Sequence, residues 1–541
     1  MPEPTGLGSA PYAVLGLYLC VLLLFGIQGF RRRQGESTED YYLAGRAQGW
    51  VVSSLTIMAT FFSSFALLGA PGMVYRDGVV FALFSLNVPV AGAAIYLLGA
   101  RIRKIGRDHG YLTPAAMIAG HYQSRLGLRL LVTLVGLLYA VPYVVMQIQA
   151  GGILSQQLFP GRDSFESGAS ILALITMVYI MIGGMRSVAW TDVVQGGLLV
   201  GGMLLAGAAT IWVLGGPGPF FAAVAQLPPR SLSAPGTSGR WTPEILFTAS
   251  LFASLGSMIQ PAQWMRFYAA RSTAVLRRSA LIFAAVLTLC FFFGVMLVGL
   301  GGQVLYPLTD SSGAYLIDDA GKVLPHPAVG QTAGEFDQIL VVVLKNHLPE
   351  LLGSFGAILA ALVLVAIMAA AMSTADSNLH ALSALITQDI YEPFVRPQAS
   401  QRERTWVGRL IIAIVTSLAL LLVIIGRQSE HNPLGMIVVL GLLAISFSTQ
   451  LLPLTIDMLY LRRGTRQGAS AGLCVGIATV FLFSPFFPML AGDTFADLLG
   501  QARTMIDTGA WGLCANILTF AVVSYFTRAT ADRATPAAPR H

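Results

Sequence analysis

The chain has 541 residues, 55% of them hydrophobic and only 11% charged, against about 25% charged in ordinary soluble domains. Although the formal charge is +7, this composition excludes a soluble enzyme and a nucleic-acid-binding protein. It indicates an all-α polytopic membrane protein embedded in a lipid bilayer, where the placement of charges matters more than their sum.

A helix needs about 20 apolar residues to cross a bilayer, and thirteen transmembrane helices are predicted. The first covers 11–30, with Glu3 before it and Arg31, Arg32 and Arg33 after it. A cleaved leader carries its positive charge on the other side of the apolar run, so this run is expected to remain as a span with an external N-terminus. The second covers 48–75, where Thr60, Ser63 and Ser64 interrupt the apolar sequence and Gly69, Pro71 and Gly72 follow. A broken helix lining a cavity frees carbonyls for a cation and presents a half-helix end to a solute. An ordinary kink with hydroxyls bonded back onto the helix fits the same residues.

Spans three and four cover 79–100 and 128–155. Tyr143 and Gln147 lie four apart in the latter and share a face. Spans five and six, 168–185 and 189–214, flank an expected turn at Gly183-Gly184-Met185-Arg186. Asp192, one turn into span six, suits a helix start favoured by the macrodipole or a functional carboxylate. The seventh span, 246–268, carries Gln260-Pro261-Ala262-Gln263-Trp264-Met265-Arg266-Phe267-Tyr268. Pro261 interrupts it, and the aromatic residues suit an interface belt. The eighth covers 279–301. The long external segments 215–245 and 302–352 are expected to be connectors or lids.

The ninth span, 354–387, is the most informative. Ser373, Asp376, Ser377 and His380 fall on one helical face beside Thr374. An Asp at the bilayer centre costs about 2.5–3.5 kcal/mol and is normally turned toward a cavity, partner or ion. Hydroxyl and carboxylate oxygens are hard ligands suited to Na⁺ or H⁺. For His380 a structural hydrogen bond is expected. The remaining spans are 408–426, 434–458, 468–488 and 509–527, and 528–541 is a short polar tail. Cys20, Cys290, Cys474 and Cys514 all lie in apolar runs and are read as packing residues. With thirteen spans, Lys and Arg favour the predicted internal loops about threefold, which places the C-terminus in the cytoplasm of a cell-membrane protein. Arg266 is counted among those loop charges, and no Arg or Lys is expected in the apolar core.

Four stretches, taken in order, resemble the sodium:solute symporter family of sodium-coupled proline, pantothenate, monocarboxylate, glucose and iodide carriers. They are Asp40-Tyr41-Tyr42-Leu43-Ala44-Gly45-Arg46 with Ala59–Gly72, Gly183–Gly196 with its Trp190-Thr191-Asp192, Gly256–Ser272, and the ninth span. The resemblance covers about residues 38–530. It implies a single membrane domain with a LeuT-like core of two inverted five-helix repeats, about 48–458, flanked by peripheral helices 11–30, 468–488 and 509–527. It also implies a sodium site formed by the carbonyls of Ala59, Phe62 and Ala370 and the hydroxyls of Ser373 and Thr374. A second cation would use Asp192, Ser373, Asp376 and Ser377, and the two carboxylates there suit either a second sodium or a shared proton.

The solute is expected near the midplane, beside Phe61, Ser63, Ser64, Phe65, Tyr143, Gln147, Gln260 and Gln263. Proline carriers of the family have an Asp where this chain has Phe61. The wording of spans two and four is closer to the monocarboxylate and pantothenate type. The expected function is therefore sodium-coupled import of a small organic acid by alternating access. A proline-like amino-acid symporter and a transporter-like sensor working with a separate signalling partner are the alternatives. No nucleophile, metal or phosphate-loop pattern of an enzyme is present.

Overall fold

The computed structural model describes residues 7–31, 37–124, 126–158, 164–310, 312–318, 322–332, 335–428, 437–485, 487, 499, 502 and 505–534. Among them the secondary structure is helical apart from turns and three isolated β-bridges. Nine helices are long and apolar enough to cross a bilayer, and twelve spans result if each of three bent helix pairs counts as one. The first predicted span is helix Ala10–Arg31, of which Ala10–Phe25 is a shorter apolar segment. The structure thus bears out a polytopic helical bundle without reproducing a count of thirteen.

The breaks follow from local chemistry. Helix Trp50–Phe61 ends because Phe62 adopts an extended conformation (φ −87°, ψ 119°). The chain resumes at Phe65–Asp77 with a 61° bend. In the seventh span, Pro261 sits in the first turn of Pro261–Ala269, where its missing N–H costs no helical bond. Gln260 is extended there and caps the new half-helix, accepting from Ala262 N at 2.6 Å. The two halves, Pro243–Ile259 and Pro261–Ala269, meet at 53°. A third bend, of 41°, separates Ile437–Thr449 from Leu452–Leu461, within the predicted span 434–458, where no break was expected. Pro453, in the first turn of the second half, accounts for where the helix restarts.

Elsewhere hydroxyls mark helix starts. Thr113 accepts from Ala116 N, Ser272 from Val275 N and Thr465 from Gly468 N, each satisfying an amide that has no helical partner. Helical backbone runs from Ser164 to Val213. The expected turn at Gly183–Arg186 falls where the side chains of 182–184 and 186 lie outside the described residues.

Segment 302–352, expected to be external, is more structured than a connector. Residues Ile339–Leu352 form a helix with a buried face that runs to Gly353. There a left-handed φ of 57° turns the chain into the ninth span. The first six residues of the earlier helix, Ile339 to Leu344, are apolar and all buried, so its start is enclosed on every side. Segment 215–245 packs back onto the end of the second span at Asp77. Trp241 is buried, and its Nε1 donates to Asp77 Oδ2 at 2.7 Å.

Helix Ser164–Val213 packs along Ile339–Ile386 and Gly127–Leu158, and Ala10–Arg31 packs on the first two of these. The first helix is therefore in contact with the core, where Tyr18 OH receives a hydrogen bond from Gln195 at 3.0 Å. Arg466–Phe483 and Thr508–Ala534 pair with each other. All four cysteines are free; Cys290 is buried, whereas Cys20, Cys474 and Cys514 are exposed on the helix surface, so only Cys290 packs inside as expected.

Candidate functional site

The break in the second span lies against the middle of the ninth. Helix termination at Phe62 leaves the last carbonyls of Trp50–Phe61 without helical amide partners, and hydroxyls of the ninth span occupy that space. Thr374 Oγ1 donates to Ala59 O at 3.0 Å and to Phe62 O at 3.3 Å. Ser373 Oγ lies 3.2 Å from Ala59 O and 3.0 Å from Ala370 O. All five residues are buried. The structure thus brings together Ala59, Phe62, Ala370, Ser373 and Thr374 as five neutral hard oxygens, a donor set suited to an alkali cation. Among the described residues no group of His, Cys, Asp and Glu is arranged to hold a metal.

A second cluster adjoins the first, with a member the sequence reading placed elsewhere. Arg266 is 1% exposed, not a loop charge. Its Nη2 donates to Asp192 Oδ2 at 3.2 Å and to Ser377 Oγ at 2.5 Å, and Nη1 lies 3.3 Å from Met185 Sδ. The expectation of a core without Arg or Lys is therefore corrected. Half-helix Pro261–Ala269 turns inward after the break and carries Arg266 with it, which a hydropathy count across the span does not register. Ser377 Oγ is 2.6 Å from Ser373 O, 3.2 Å from Asp376 Oδ1 and 3.1 Å from Thr60 Oγ1. Tyr179 OH donates to Asp376 Oδ2. Asp192, Ser373, Asp376 and Ser377 are thus assembled as one network. Thr60 and Tyr179 join it unforeseen; Thr60 carried a signal as a hydroxyl one turn before the break, whereas Tyr179 carried none. The ring of His380 packs against Tyr41 and Tyr42 at 5.4 and 5.2 Å.

The residues expected to face solute divide. Ser64 N donates to Gln147 Oε1 at 3.1 Å, Gln147 Nε2 donates to Tyr143 O at 3.1 Å, and Ser64 Oγ donates to Met146 O at 3.4 Å. Ser63 Oγ accepts from Phe65 N at 3.1 Å. Ser63, Ser64, Phe65, Tyr143 and Gln147 therefore meet around the start of half-helix Phe65–Asp77. Gln263 Nε2 donates to Ile57 O at 3.0 Å, joining the two broken spans. Gln260 is engaged as a cap. Phe61 packs edge-on against Phe283 at 5.0 Å and beside Phe62 at 5.6 Å.

A further set of polar contacts ties the end of half-helix Pro261–Ala269 to neighbouring segments. Arg103 Nε donates to Ala270 O at 2.6 Å, and Nη2 donates to Arg271 O. Arg46 Nη2 donates to Tyr111 O at 2.8 Å, and Thr113 Oγ1 donates to Asp389 Oδ2 at 2.6 Å.

A helical membrane bundle with breaks in its second and seventh spans, and a buried oxygen cluster at one of them, is the architecture of a cation-coupled secondary transporter. The sequence model of the Sodium:solute symporter family matches residues 41–476, and the chain belongs to that family. It is 28% identical over 525 residues to the high-affinity proline transporter of Bacillus subtilis (strain 168), covering 95% of this chain and 98% of that one. It is 25% identical over 506 residues to the sodium/pantothenate symporter of Escherichia coli (strain K12), covering 90% and 96%. Its structure resembles a substrate-bound, outward-open Na⁺-coupled sialic acid symporter, with a TM-score of 0.75 and 21% identity over 96% of this chain and 98% of that chain. It also resembles Mhp1, a nucleobase-cation-symport-1 family transporter, with a TM-score of 0.54 and 13% identity over 90% and 95%. The fold is the LeuT-like one expected from the sequence. The protein is a multi-pass membrane transporter that couples a small solute to sodium, and not an enzyme.

Proposed function

We propose that this symporter imports a small carboxylate-bearing solute, an organic acid such as a monocarboxylate or pantothenate, together with sodium held at the break of the second span. The observation that carries this reading is the convergence of the Ala59, Phe62 and Ala370 carbonyls on the Ser373 and Thr374 hydroxyls. These groups satisfy one another, so a sodium ion entering between them exchanges hydroxyl–carbonyl hydrogen bonds for five oxygen contacts. That ties the broken span to the ninth and fixes the half-helix beyond the break. The amino end of that half-helix, at Ser64 and Phe65, is the positive end of a helix dipole and suits a carboxylate. Gln147, whose Oε1 accepts from the Ser64 amide and whose Nε2 spends one of its two hydrogens on Tyr143 O, is placed beside that end to offer the other to a solute oxygen. In this reading the core, about 48–458, moves as the transport unit in the plasma membrane, with an external N-terminus and a cytoplasmic C-terminus. Helices 11–30, 468–488 and 509–527 flank it.

A proline-like amino-acid substrate is the second reading, favoured by the 28% identity to a proline transporter. Both solutes present a carboxylate. An amino acid adds an ammonium group, which the uncharged side chains of Ser63, Ser64, Tyr143 and Gln147 do not pair. Uptake into proteoliposomes across a panel of labelled monocarboxylates, pantothenate, amino acids and sugars, with and without an inward sodium gradient, tests the proposal. Sodium-stimulated accumulation of an organic acid supports it. Accumulation of proline alone selects the second reading, and sodium-independent accumulation overturns the coupling.

A further inference from the structure

The two carboxylates beside the sodium-site hydroxyls invite a second mobile cation, but a basic group already lies among them. Arg266 is buried on half-helix Pro261–Ala269, and its Nη2 contacts both Asp192 Oδ2 and Ser377 Oγ, at 3.2 and 2.5 Å. These are two of the oxygens that a second ion would need. A sodium ion bonded to them would stand within a few ångströms of the guanidinium, and the two cations would repel in surroundings that screen charge poorly. Burial makes the arrangement self-sustaining. Asp192 has no other basic group within ion-pair distance among the described residues, and Arg266 has no other carboxylate. Each is therefore held by the cost of leaving its partner uncompensated.

We propose that the guanidinium of Arg266 is the resident cation of the site framed by Asp192 and Ser377, so that the transporter binds a single sodium ion per cycle. The inference rests on the sodium site proposed above. Ser377 Oγ, held by Arg266, is 2.6 Å from the carbonyl of Ser373, whose own hydroxyl belongs to that sodium site. The tethered cation thus braces the ninth span where the mobile ion binds. It also joins the two broken spans through Thr60, which meets Ser377 at 3.1 Å.

Equilibrium binding of ²²Na⁺ to the purified full-length protein in nanodiscs, without any solute, reads this directly. The expected result is one sodium per chain in the wild type, lost in the Ser373→Ala/Thr374→Ala double variant, and two per chain in Arg266→Gln, where Asp192 is released. Two sodium ions per wild-type chain would overturn this proposal while leaving the principal site intact, and none would overturn both. If Arg266→Gln does not fold, the Asp192→Asn/Arg266→Gln double variant, which removes both partners of the ion pair together, is expected to bind one. A wild-type count of two still overturns the inference.

Discussion

Thr374 Oγ1 lies 3.0 Å from the carbonyl oxygen of Ala59, although 315 positions separate the two residues in the chain. This contact closes the second span against the ninth at the point where one is broken and the other is not. Ser373→Ala and Thr374→Ala each remove one oxygen from the proposed sodium site. A hydrogen bond or ligand to a charged group contributes about 1.5–3 kcal/mol, so each substitution is expected to raise the half-saturating sodium concentration at least about 10-fold. Sodium titration of uptake checks this; unchanged values in both variants would remove these residues from the site.

The Asp192–Arg266 pair is fully desolvated. Removing one partner of such a pair costs about 3–5 kcal/mol, because the other is left as a buried uncompensated charge. Asp192→Asn and Arg266→Met are each expected to lower the melting temperature. The double variant should lose less than the sum of the two, which a thermal-shift double-mutant cycle measures. Additive losses would mean that the two side chains do not depend on each other.

Gln147 bridges the fourth span to the restart of the second through the Ser64 amide. Gln147→Ala is expected to raise the half-saturating solute concentration about 5- to 10-fold, in keeping with one lost hydrogen bond of about 1 kcal/mol. Half-saturating sodium should stay within about twofold of the wild-type value, since no Gln147 atom enters the sodium cluster. Gln147→Glu should be worse than Gln147→Ala, because a carboxylate there repels a carboxylate-bearing solute. Improved uptake in Gln147→Glu would point instead to a cationic solute.

Arg103, on helix Ala100–Asp108, donates to the carbonyls of Ala270 and Arg271 just beyond half-helix Pro261–Ala269. Arg103→Met removes both bonds and should favour opening there. The expected readout is faster alkylation of a cysteine placed at Ala269 by a membrane-permeant reagent, with sodium slowing the reaction in the wild type more than in the variant. Equal rates in the two proteins would show that these bonds do not restrain the opening.

Much of this architecture is legible in the chain because membranes constrain sequence so strongly. Apolar runs of spanning length and the Arg-rich segments between them mark where helices begin and end. Hydroxyls in the middle of the second span, followed by Gly69 and Pro71, indicated a break there, and Pro261 indicated another. The bend beside Pro453 was missed although Ser448, Thr449 and Gln450 precede Pro453, the same kind of polar-then-proline signal that marks the other two breaks. The helix before Gly353 was missed because its apolar run, 339–344, is only six residues long and is followed by Lys345, Asn346 and His347, too short a run to read as a span.

The sequence by itself determined the helical class, the positions of two breaks and the chemical kind of site, since an Asp and a set of hydroxyls in an apolar helix have no inexpensive place except a shared interior. Only the tertiary structure decided which of these groups meet. It turned Arg266 inward onto Asp192, brought Tyr179 to Asp376, and spent Gln260 on capping its own half-helix. The reason is geometric. Helical periodicity says which face a residue occupies on its own helix, whereas a bend of 53° in the seventh span decides what that face meets, and no local pattern of residues carries that angle.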